Sequence, residues 1–384
     1  MPIIPATVED FRELARKRLP RFLFDYIDGG ASQEQTLAAN MAAWQHIRPR
    51  QRVLNNVEST CTQTTLLGEE CAFPVICAPI GLAGMMAQRG EVQGIKAANR
   101  AQIPFTLSTV GICTLEEVNN AATTPCWFQL YMIRDRERIA KLLQKAWDSG
   151  SRTLVFTVDL PQTAMRHRDT RNGLEAKGLN GAVVKATQLI SRPGWIYRVA
   201  IKGQPLTFGN LSDAVPNGKD LDAFKAWVDS QFDPSVTWED IAWIRERWQG
   251  KLILKGILDA EDAKKAVHVG ADGIVVSNHG GRQLDGVHAS AEQLPSIVAA
   301  VEKRLTVLVD GGIRNGVDVF RALALGADGV MMGRPWIFAV AAKGEAGLVQ
   351  LLESWQKELR LAMMLAGVTQ VEDIGSEHLA ELEN

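Results

Sequence analysis

From residue 74 onward the chain alternates between short runs that are apolar at almost every position and longer stretches whose apolar residues return every three or four positions. The runs are PVICAPI (74–80), PFTLST (104–109), CWFQLYM (126–132), TLVFTVD (153–159), KLILKGI (251–257), GIVVSN (273–278), TVLVDGG (306–312) and GVMMGRP (329–335). A strand with one face in water alternates polar and apolar residues. These runs do not alternate, so both of their faces are buried, as in a parallel sheet covered by helices. Between them lie EVQGIKAANRA, LEEVNNAA, RERIAKLLQKAWDSG, TWEDIAWIRERWQ, AEDAKKAVHVG, AEQLPSIVAAVEKR and GVDVFRALALG, all with helical spacing. Several open on an acidic residue and close on glycine, which suits the helix dipole and a C-terminal stop. Eight strand–helix units predict an α/β fold of the (β/α)8 TIM-barrel type. VGADGIVVSN (269–278) and LGADGVMMGR (325–334) share a Gly-Ala-Asp-Gly entry into a strand, the echo expected between equivalent units.

Two regions fall outside this scheme within a single domain spanning 1–384. Residues 1–73 carry an amphipathic helix (VEDFRELARKRL), then FLFDYIDGGA and the polar-to-β stretch RVLNNVEST, and read as an N-terminal helical extension covering one barrel end. Residues 160–236 form a long loop after the fourth strand, too long for an ordinary connection. It is Gly- and Asn-rich yet contains Pro193, Gly194, Trp195, Ile196, Tyr197 and Trp227, which suits a lid, a docking surface or a disordered segment. The barrel proper then comprises 74–159 and 237–384.

Composition narrows the chemistry. A net charge of -2 gives no basic field for nucleic acid. The opening MPIIPATVEDFRELARKRLP lacks the apolar core of a signal peptide, and no run of about 18 apolar residues predicts a membrane span. Five widely spaced cysteines without a CxxC pair read as reduced thiols, and six histidines without a paired ligand pattern predict no metal site. A cytoplasmic protein is expected.

In such a barrel the chemistry sits at the carboxyl ends of the strands. Those ends carry Ala78, Pro79, Ile80 and Gly81; Ser108; Gln129 and Tyr131; Thr157 and Asp159; Lys255; Ser277 to Arg282; Asp310 to Arg314; and Gly333 with Arg334. Backbone N–H groups at Gly312 and Gly333, backed by Arg314 and Arg334, suit a phosphate. Neither GxGxxG nor GxxxxGK[ST] opens a helix, which disfavours a nicotinamide or triphosphate site. Lys255, ending a buried strand, suits either a Schiff base or a point charge against an anionic ring. The sharpest stretch is SNHGGRQLDG (277–286). His279 there has a base's chemistry and glycines that keep its approach open, and Arg282 offers a fork for a carboxylate. Asp159 could orient the imidazole.

SNHGGRQLDG, with KGI before it and DGGIRNG…GADGVMMGRP after it, resembles the FMN-dependent α-hydroxy-acid dehydrogenase and oxidase family. FDYIDGGA, RQRVL, PVICAPIGLAGM, FTLST, WFQLY and LVFTVD extend the match along nearly the whole chain. RQRVLNNV, GEVQGIKAA, FTLSTVGICTLEEV and KGILDAEDA look most like the bacterial L-lactate dehydrogenases that feed a respiratory chain. The resemblance implies FMN as cofactor. Backbone at Ala78, Pro79 and Ile80 would line the flavin, Ser108, Gln129 and Thr157 would hydrogen-bond its ring, and Lys255 would sit by its N1 and O2 edge with Ser277 nearby. Asp310 would bind the ribityl chain, and Gly312, Arg314, Gly333 and Arg334 the phosphate. Tyr26, Arg166 and Arg282 would hold the substrate carboxylate, Tyr131 its hydroxyl, and His279 would be the base with Asp159 as partner. The resemblance further implies oxidation of an L-2-hydroxy acid, L-lactate first, with a quinone or cytochrome acceptor, a homotetramer, and peripheral contact of the 160–236 segment with the cytoplasmic face of the inner membrane.

The sequence departs from the family in places. Val110 stands where plant glycolate oxidases carry Trp, Ile80 replaces a smaller residue, and Gly81 replaces the oxidases' usual Ala, a pointer to a dehydrogenase. Ala164-Met165-Arg166-His167-Arg168-Asp169 replaces Gly-Ala-Arg-Tyr-Arg-Asp, leaving open which arginine reaches substrate. Rival readings are an oxidase that uses oxygen, a mandelate-type dehydrogenase, a Schiff-base lyase or aldolase acting through Lys255, and a non-catalytic membrane-associated scaffold.

Overall fold

The computed structural model describes residues 4–174, 178–214 and 230–380. All eight apolar runs contain strands, β3 (Val75–Cys77), β4 (Thr106–Ser108), β5 (Trp127–Tyr131), β6 (Thr153–Thr157), β7 (Lys251–Ile257), β8 (Gly273–Val276), β9 (Thr306–Val309) and β10 (Gly329–Met332). They pair in parallel in the order β3-β10-β9-β8-β7-β6-β5-β4, and a parallel bridge between Cys77 and Phe105 closes the ring. The fold is a (β/α)8 TIM barrel.

The missing polar–apolar alternation has a direct cause. Successive residues on a strand point to opposite faces. Ile76, Val155, Ile253, Val275, Leu308 and Met331 fill the barrel interior with Trp127, while Val75, Leu154, Leu254, Val276, Val309 and Val330 pack under the helices. Both faces are dry, so both are apolar. The seven helical segments read from spacing all form, from Gly90–Arg100 to Gly316–Ala324, and a long helix Arg334–Ala366, bent at Gly344, completes the outer ring.

The N-terminal extension serves both ends of the barrel rather than one. A hairpin, β1 (Thr64–Leu66) paired antiparallel with β2 (Glu69–Cys71), plugs the amino-terminal end. Its Leu66 and Cys71 join the interior cluster, and Glu69 accepts a 2.9 Å hydrogen bond from the Trp127 indole. The stretch RVLNNVEST, read as tending to β, forms no strand; the hairpin begins after it. At the opposite end lie α2 (Arg21–Asp28) and α3 (Gln35–His46), while α1 (Val8–Arg18) packs along the long helix Arg334–Ala366. Thr7 and Asp10 cap α1 reciprocally, and α2 buries Phe22, Leu23, Phe24 and Ile27 while leaving Tyr26 half-buried at the barrel mouth.

The segment 160–236 is neither a bare loop nor disordered where it is described. It folds into helices His167–Arg171, Gly178–Ile190 and Pro193–Trp195, a wider turn Ile196–Ile201 and a 3-10 turn Gly209–Ala214. Trp195 is buried and donates its indole N–H to Met85 O at 2.8 Å. It is therefore a structural anchor of the segment, which among the readings left open for it fits packing beneath a lid rather than a docking surface. Arg89 clasps the same segment, donating to Pro205 O at 2.9 Å while paired with Glu117. Tyr197 is exposed, as are Val183, Val184, Ile190 and Ile201; Trp227 lies outside the described residues. All five cysteines are free.

Candidate active site

The carboxyl ends of the strands, α2 and the 160–236 segment enclose a cavity of about 540 Å3. Ala78, Pro79, Ile80, Tyr26, Tyr131, Arg166, Lys255, His279, Arg282, Asp310, Gly312, Arg314, Gly333 and Arg334 all line it. That volume falls in the range of small-molecule and cofactor sites, about 300–1,000 Å3. Ser108, Gln129, Thr157, Ser277 and Asp159 are not on its wall; they stand behind it, bonded to one another or to lining residues.

His279 follows β8 in a left-handed turn, with φ of 57° at His279, 61° at Gly280 and 72° at Gly281. The two glycines adopt that conformation without strain, whereas a histidine does so only when its surroundings hold it there. The His279 backbone N–H donates to Ser277 Oγ at 3.0 Å, and the same hydroxyl accepts from Lys255 Nζ at 2.9 Å. The imidazole Nδ1 lies 2.8 Å from Asp159 Oδ1. Asp159 is held in turn by its own backbone, whose carbonyl accepts from Gln283 Nε2 at 3.0 Å. Burial works to raise the Asp159 carboxyl, but the charge and hydrogen bond of His279, with Lys255 beyond it, bring it below the usual carboxylate range. It stays ionised, as an imidazole partner should.

Arg282 and Arg166 bracket Tyr26, with guanidinium carbons 5.0 and 5.6 Å from the ring centroid. Arg282 is braced by donation to Tyr26 O at 2.5 Å and Gly29 O at 3.1 Å. Burial and the nearby Arg166 push its pKa down to about 10. The Arg166/Arg168 ambiguity resolves geometrically. Arg168 is tied up at 2.7 Å to Asp28 and 2.5 Å to Glu34, and Arg12 grips the other oxygen of Asp28 at 2.5 Å. Arg168 thus fastens the segment to the N-terminal extension, and Arg166 is left facing the cavity. Tyr131, packed edge-on against Phe232, has its phenol pushed up by burial and by Asp159, so it remains a donor.

Lys255 Nζ forms a 2.7 Å ion pair with Asp310 Oδ2. Burial opposes its charge, but Asp310 and Asp159 raise its pKa overall. An amine held protonated in this way is a poor nucleophile, which counts against the Schiff-base reading. Behind the wall, Ser108 Oγ donates to Gln129 Oε1 at 2.9 Å and Gln129 Nε2 donates to Thr157 Oγ1 at 3.0 Å, a ladder across the ends of β4, β5 and β6.

The residues present fit FMN. Asp310 Oδ1 is buried without a hydrogen-bond partner, an acceptor left over for a ligand hydroxyl. Arg282, Arg314 and Arg334 are partly buried cations with no ion pair among the described residues, and desolvation lowers all three pKa values. Such a cluster is complementary to anions. Gly333 caps the helix Arg334–Ala366 with open space beside its Cα, so helix N–H groups are accessible to a phosphate. Arg334 also donates to Ile27 O, Gly280 O and Gly29 O at 3.1, 2.9 and 2.7 Å, and so ties the start of the last helix to α2 and to the turn that follows His279.

Sequence reasoning missed several contributors: the Arg168–Asp28–Glu34 clasp, the reciprocal pair Asn40–Asn278, and apolar lining from Met85, Trp195, Phe208 and Phe232. Asn278 lay inside a quoted motif. Asp28 and Arg168 also lay inside quoted stretches and Trp195 was named, but their partners lie far along the chain and carried no local signal.

Comparison with known proteins agrees with this geometry. Residues 15–381 match the family described as FMN-dependent dehydrogenase. An L-lactate dehydrogenase of Caulobacter sp. (strain K31) is 51% identical over 381 residues, covering 99% of this chain and 100% of that one. One of Pectobacterium atrosepticum is 50% identical over 97% of this chain and 96% of its own. Among solved structures, a monotopic membrane protein, (S)-mandelate dehydrogenase, superposes with a TM-score of 0.92 at 33% identity over 99% of this chain and 100% of its own. A mandelate oxidase gives 0.83 at 38% identity over 98% of both chains.

Proposed function

The chain belongs to the FMN-dependent dehydrogenase family and takes FMN as its cofactor, and from that premise we propose that it oxidises an L-2-hydroxy acid, L-lactate first, to the 2-oxo acid. The observation that carries the reading is the Asp159–His279 pair, 2.8 Å apart, with His279 on a cavity that Arg166, Arg282 and Tyr26 also line. The near-full-length likeness to L-lactate dehydrogenases at about half identity supports lactate as the first substrate to test.

The substrate carboxylate docks between the Arg282 and Arg166 guanidiniums, whose bidentate geometry fixes the α-carbon and hydroxyl. Tyr131 donates to the substrate oxygen. His279 accepts the proton released on oxidation, and Asp159 stabilises the resulting imidazolium. When bound, FMN accepts the two electrons of the oxidation. The ladder Ser108–Gln129–Thr157 and the Lys255 cation would hold its ring system, and Asp310, Gly312, Arg314, Gly333 and Arg334 its ribityl phosphate. A charge fixed at Lys255 stabilises negative charge developing opposite it without reorganisation.

Electrons would leave to a quinone or cytochrome acceptor. None of the described helices is long and apolar enough to cross a membrane. Exposed Val183, Val184, Ile190, Tyr197 and Ile201 on the segment over the barrel mouth suit peripheral contact with a bilayer surface on the cytoplasmic side. Likeness to a monotopic membrane protein supports that reading. A homotetramer is part of the same proposal.

The test is anaerobic bleaching of the bound flavin by a panel of L-2-hydroxy acids, with His279→Gln alongside. The proposal requires bleaching by L-lactate in the native protein and near-abolition in a variant that still carries flavin. Near-normal bleaching in His279→Gln would remove the base assignment, and rapid oxygen uptake with substrate would replace the dehydrogenase with an oxidase.

A further inference from the structure

His279 sits in a left-handed backbone conformation that is uncommon for a residue with a Cβ, and contacts both within and outside the turn hold it there. The turn 278–281 is fixed from within by the Gly281 N–H, which donates to Asn278 Oδ1 at 3.1 Å and to Asn278 O at 3.0 Å. Asn278 is fixed from outside. Its amide donates to Asn40 Oδ1 at 2.8 Å and accepts from Asn40 Nδ2 at 2.8 Å, a reciprocal pair between residues 238 positions apart. Both side chains are buried, 1% and 6% exposed. Asn278 Nδ2 also reaches His288 O at 3.1 Å, and Asn40 Oδ1 accepts from Ser290 N at 3.2 Å, so the pair has few unused bonding positions.

Asn40 stands on α3, and the same helix touches the phosphate loop. Trp44 donates its indole N–H to Gly311 O at 2.7 Å, and a side chain on Gly312 would run into Asn40 O at 2.0 Å. One helix of the N-terminal extension therefore abuts the base turn and the phosphate loop at adjacent turns of its own length. Neither Asn40 nor Trp44 itself lines the cavity.

We propose that Asn40, through its reciprocal pair with Asn278, is a positioning residue that holds His279 in its left-handed conformation, with α3 acting as a common strut for the base turn and the FMN phosphate loop. This rests on the reading of His279 as the base. The physical reasoning is one of alternatives. Removing the pair leaves Asn278 free to turn, the Gly281 N–H loses a fixed acceptor, and the turn relaxes toward conformations a histidine prefers. The imidazole then leaves the position from which it meets both Asp159 and the substrate. Displacements on the order of an ångström at a reacting group cost up to about a hundredfold in rate.

The experiment compares Asn40→Leu, Asn40→Asp and Thr36→Val, each loaded with FMN and each as apoprotein. Thr36 lies on the same helix and accepts from Gly286 N and Val287 N at 2.8 and 3.2 Å, so its loss loosens α3 without touching the base turn. Asn40→Leu should lower kcat roughly 10- to 100-fold with KM within about twofold, because the carboxylate clamp is untouched. Asn40→Asp keeps both acceptor roles and should fall between it and the native protein; it also serves if the leucine variant does not fold. Thr36→Val should keep kcat within about twofold of native. Hydrogen exchange read by mass spectrometry should show faster exchange in peptides spanning 277–286 of the Asn40 variants, with or without FMN, while β5 to β7 are unchanged. A native-like kcat in Asn40→Leu would overturn the proposal, as would an equal loss in Thr36→Val or a uniform rise in exchange. If no 2-hydroxy acid bleaches even the native flavin, the reading of the reaction has failed, and the exchange data alone decide whether Asn40 holds the turn.

Discussion

Asp159→Asn isolates the charge behind the base from its geometry. The new side chain is nearly isosteric, and its carbonyl oxygen would accept from His279 Nδ1 at the present 2.8 Å separation. Its backbone stays tied to Gln283, and Gly256, where any added Cβ would lie 2.6 Å from Asp159 Cβ, keeps the space around it unchanged. What disappears is the negative charge beside an imidazole that becomes positive during turnover. Two unit charges about 4 Å apart attract by about 4 kcal/mol at an effective dielectric constant near 20, which sets the upper bound. The difference between a charged and a neutral hydrogen bond, about 1–2 kcal/mol, sets the lower. Each 1.36 kcal/mol is tenfold in rate, so flavin reduction should slow by about 10- to 1,000-fold. The assay is the rate of anaerobic flavin bleaching by saturating L-lactate in a stopped-flow instrument, with flavin content per protein measured first. A variant with full flavin content and a rate within about threefold of native would refute the electrostatic role. Asp159 would then be a bracket only.

Four further substitutions separate the parts of the site. Arg166→Met should raise KM for lactate by about 10- to 100-fold through loss of a charge-assisted hydrogen bond. Arg168→Met should instead act through the loop anchored at Asp28 and Glu34, lowering the melting temperature more than it raises KM; steady-state kinetics beside thermal melts tell the two apart. Gly312→Ala places a methyl 2.0 Å from Asn40 O at a φ of 82°, so the purified protein should be nearly colourless, which absorbance of the flavin per protein reads directly. Asp28 titrates below the usual carboxylate range: burial raises it, but hydrogen bonds and charge from Arg12 and Arg168 outweigh that. A lowered folded-state pKa contributes stability above the unfolded value, near 4, and loses it as pH falls through the folded value. Asp28→Asn should therefore cost about 1–3 kcal/mol at neutral pH and little at the lowest pH where the native protein stays folded, measured by urea unfolding across that range.

The barrel was legible because its signal is local. Each strand advertises burial on both faces within five or six residues, and each helix carries its own period, so the eight units could be counted without knowing which touched which. The site residues on strand ends were legible for the same reason: once the strands were placed, Lys255, His279 and Asp310 had to converge on one mouth. The segment 160–236 was harder. Its helices are short, and what fixes them is remote, as with the Trp195 indole on Met85 O and the Arg89 guanidinium on Pro205 O. The sequence leaves Trp195 open between lid packing and a docking patch because its hydrogen-bond partner lies 110 positions earlier.

The same logic explains why the supports of His279 went unseen while the histidine itself did not. His279 is identified by its immediate neighbours, two glycines and an arginine, which local reading can weigh. Its conformation is not determined there. The residues 277–286 alone would allow the histidine a relaxed turn, and the left-handed one is selected by Asn40 across 238 positions and by the Ser277 hydroxyl shared with Lys255. A polar residue on a helix of the extension, such as Asn40 in QTLAANMAAWQH, reads as a solvated face until the partner is known. Burial turns that inference around: an amide 1% exposed must have its hydrogen bonds satisfied, and here one of them is what keeps the imidazole beside Asp159. The catalytic stretch therefore names the chemistry, and the extension sets the geometry in which that chemistry can run.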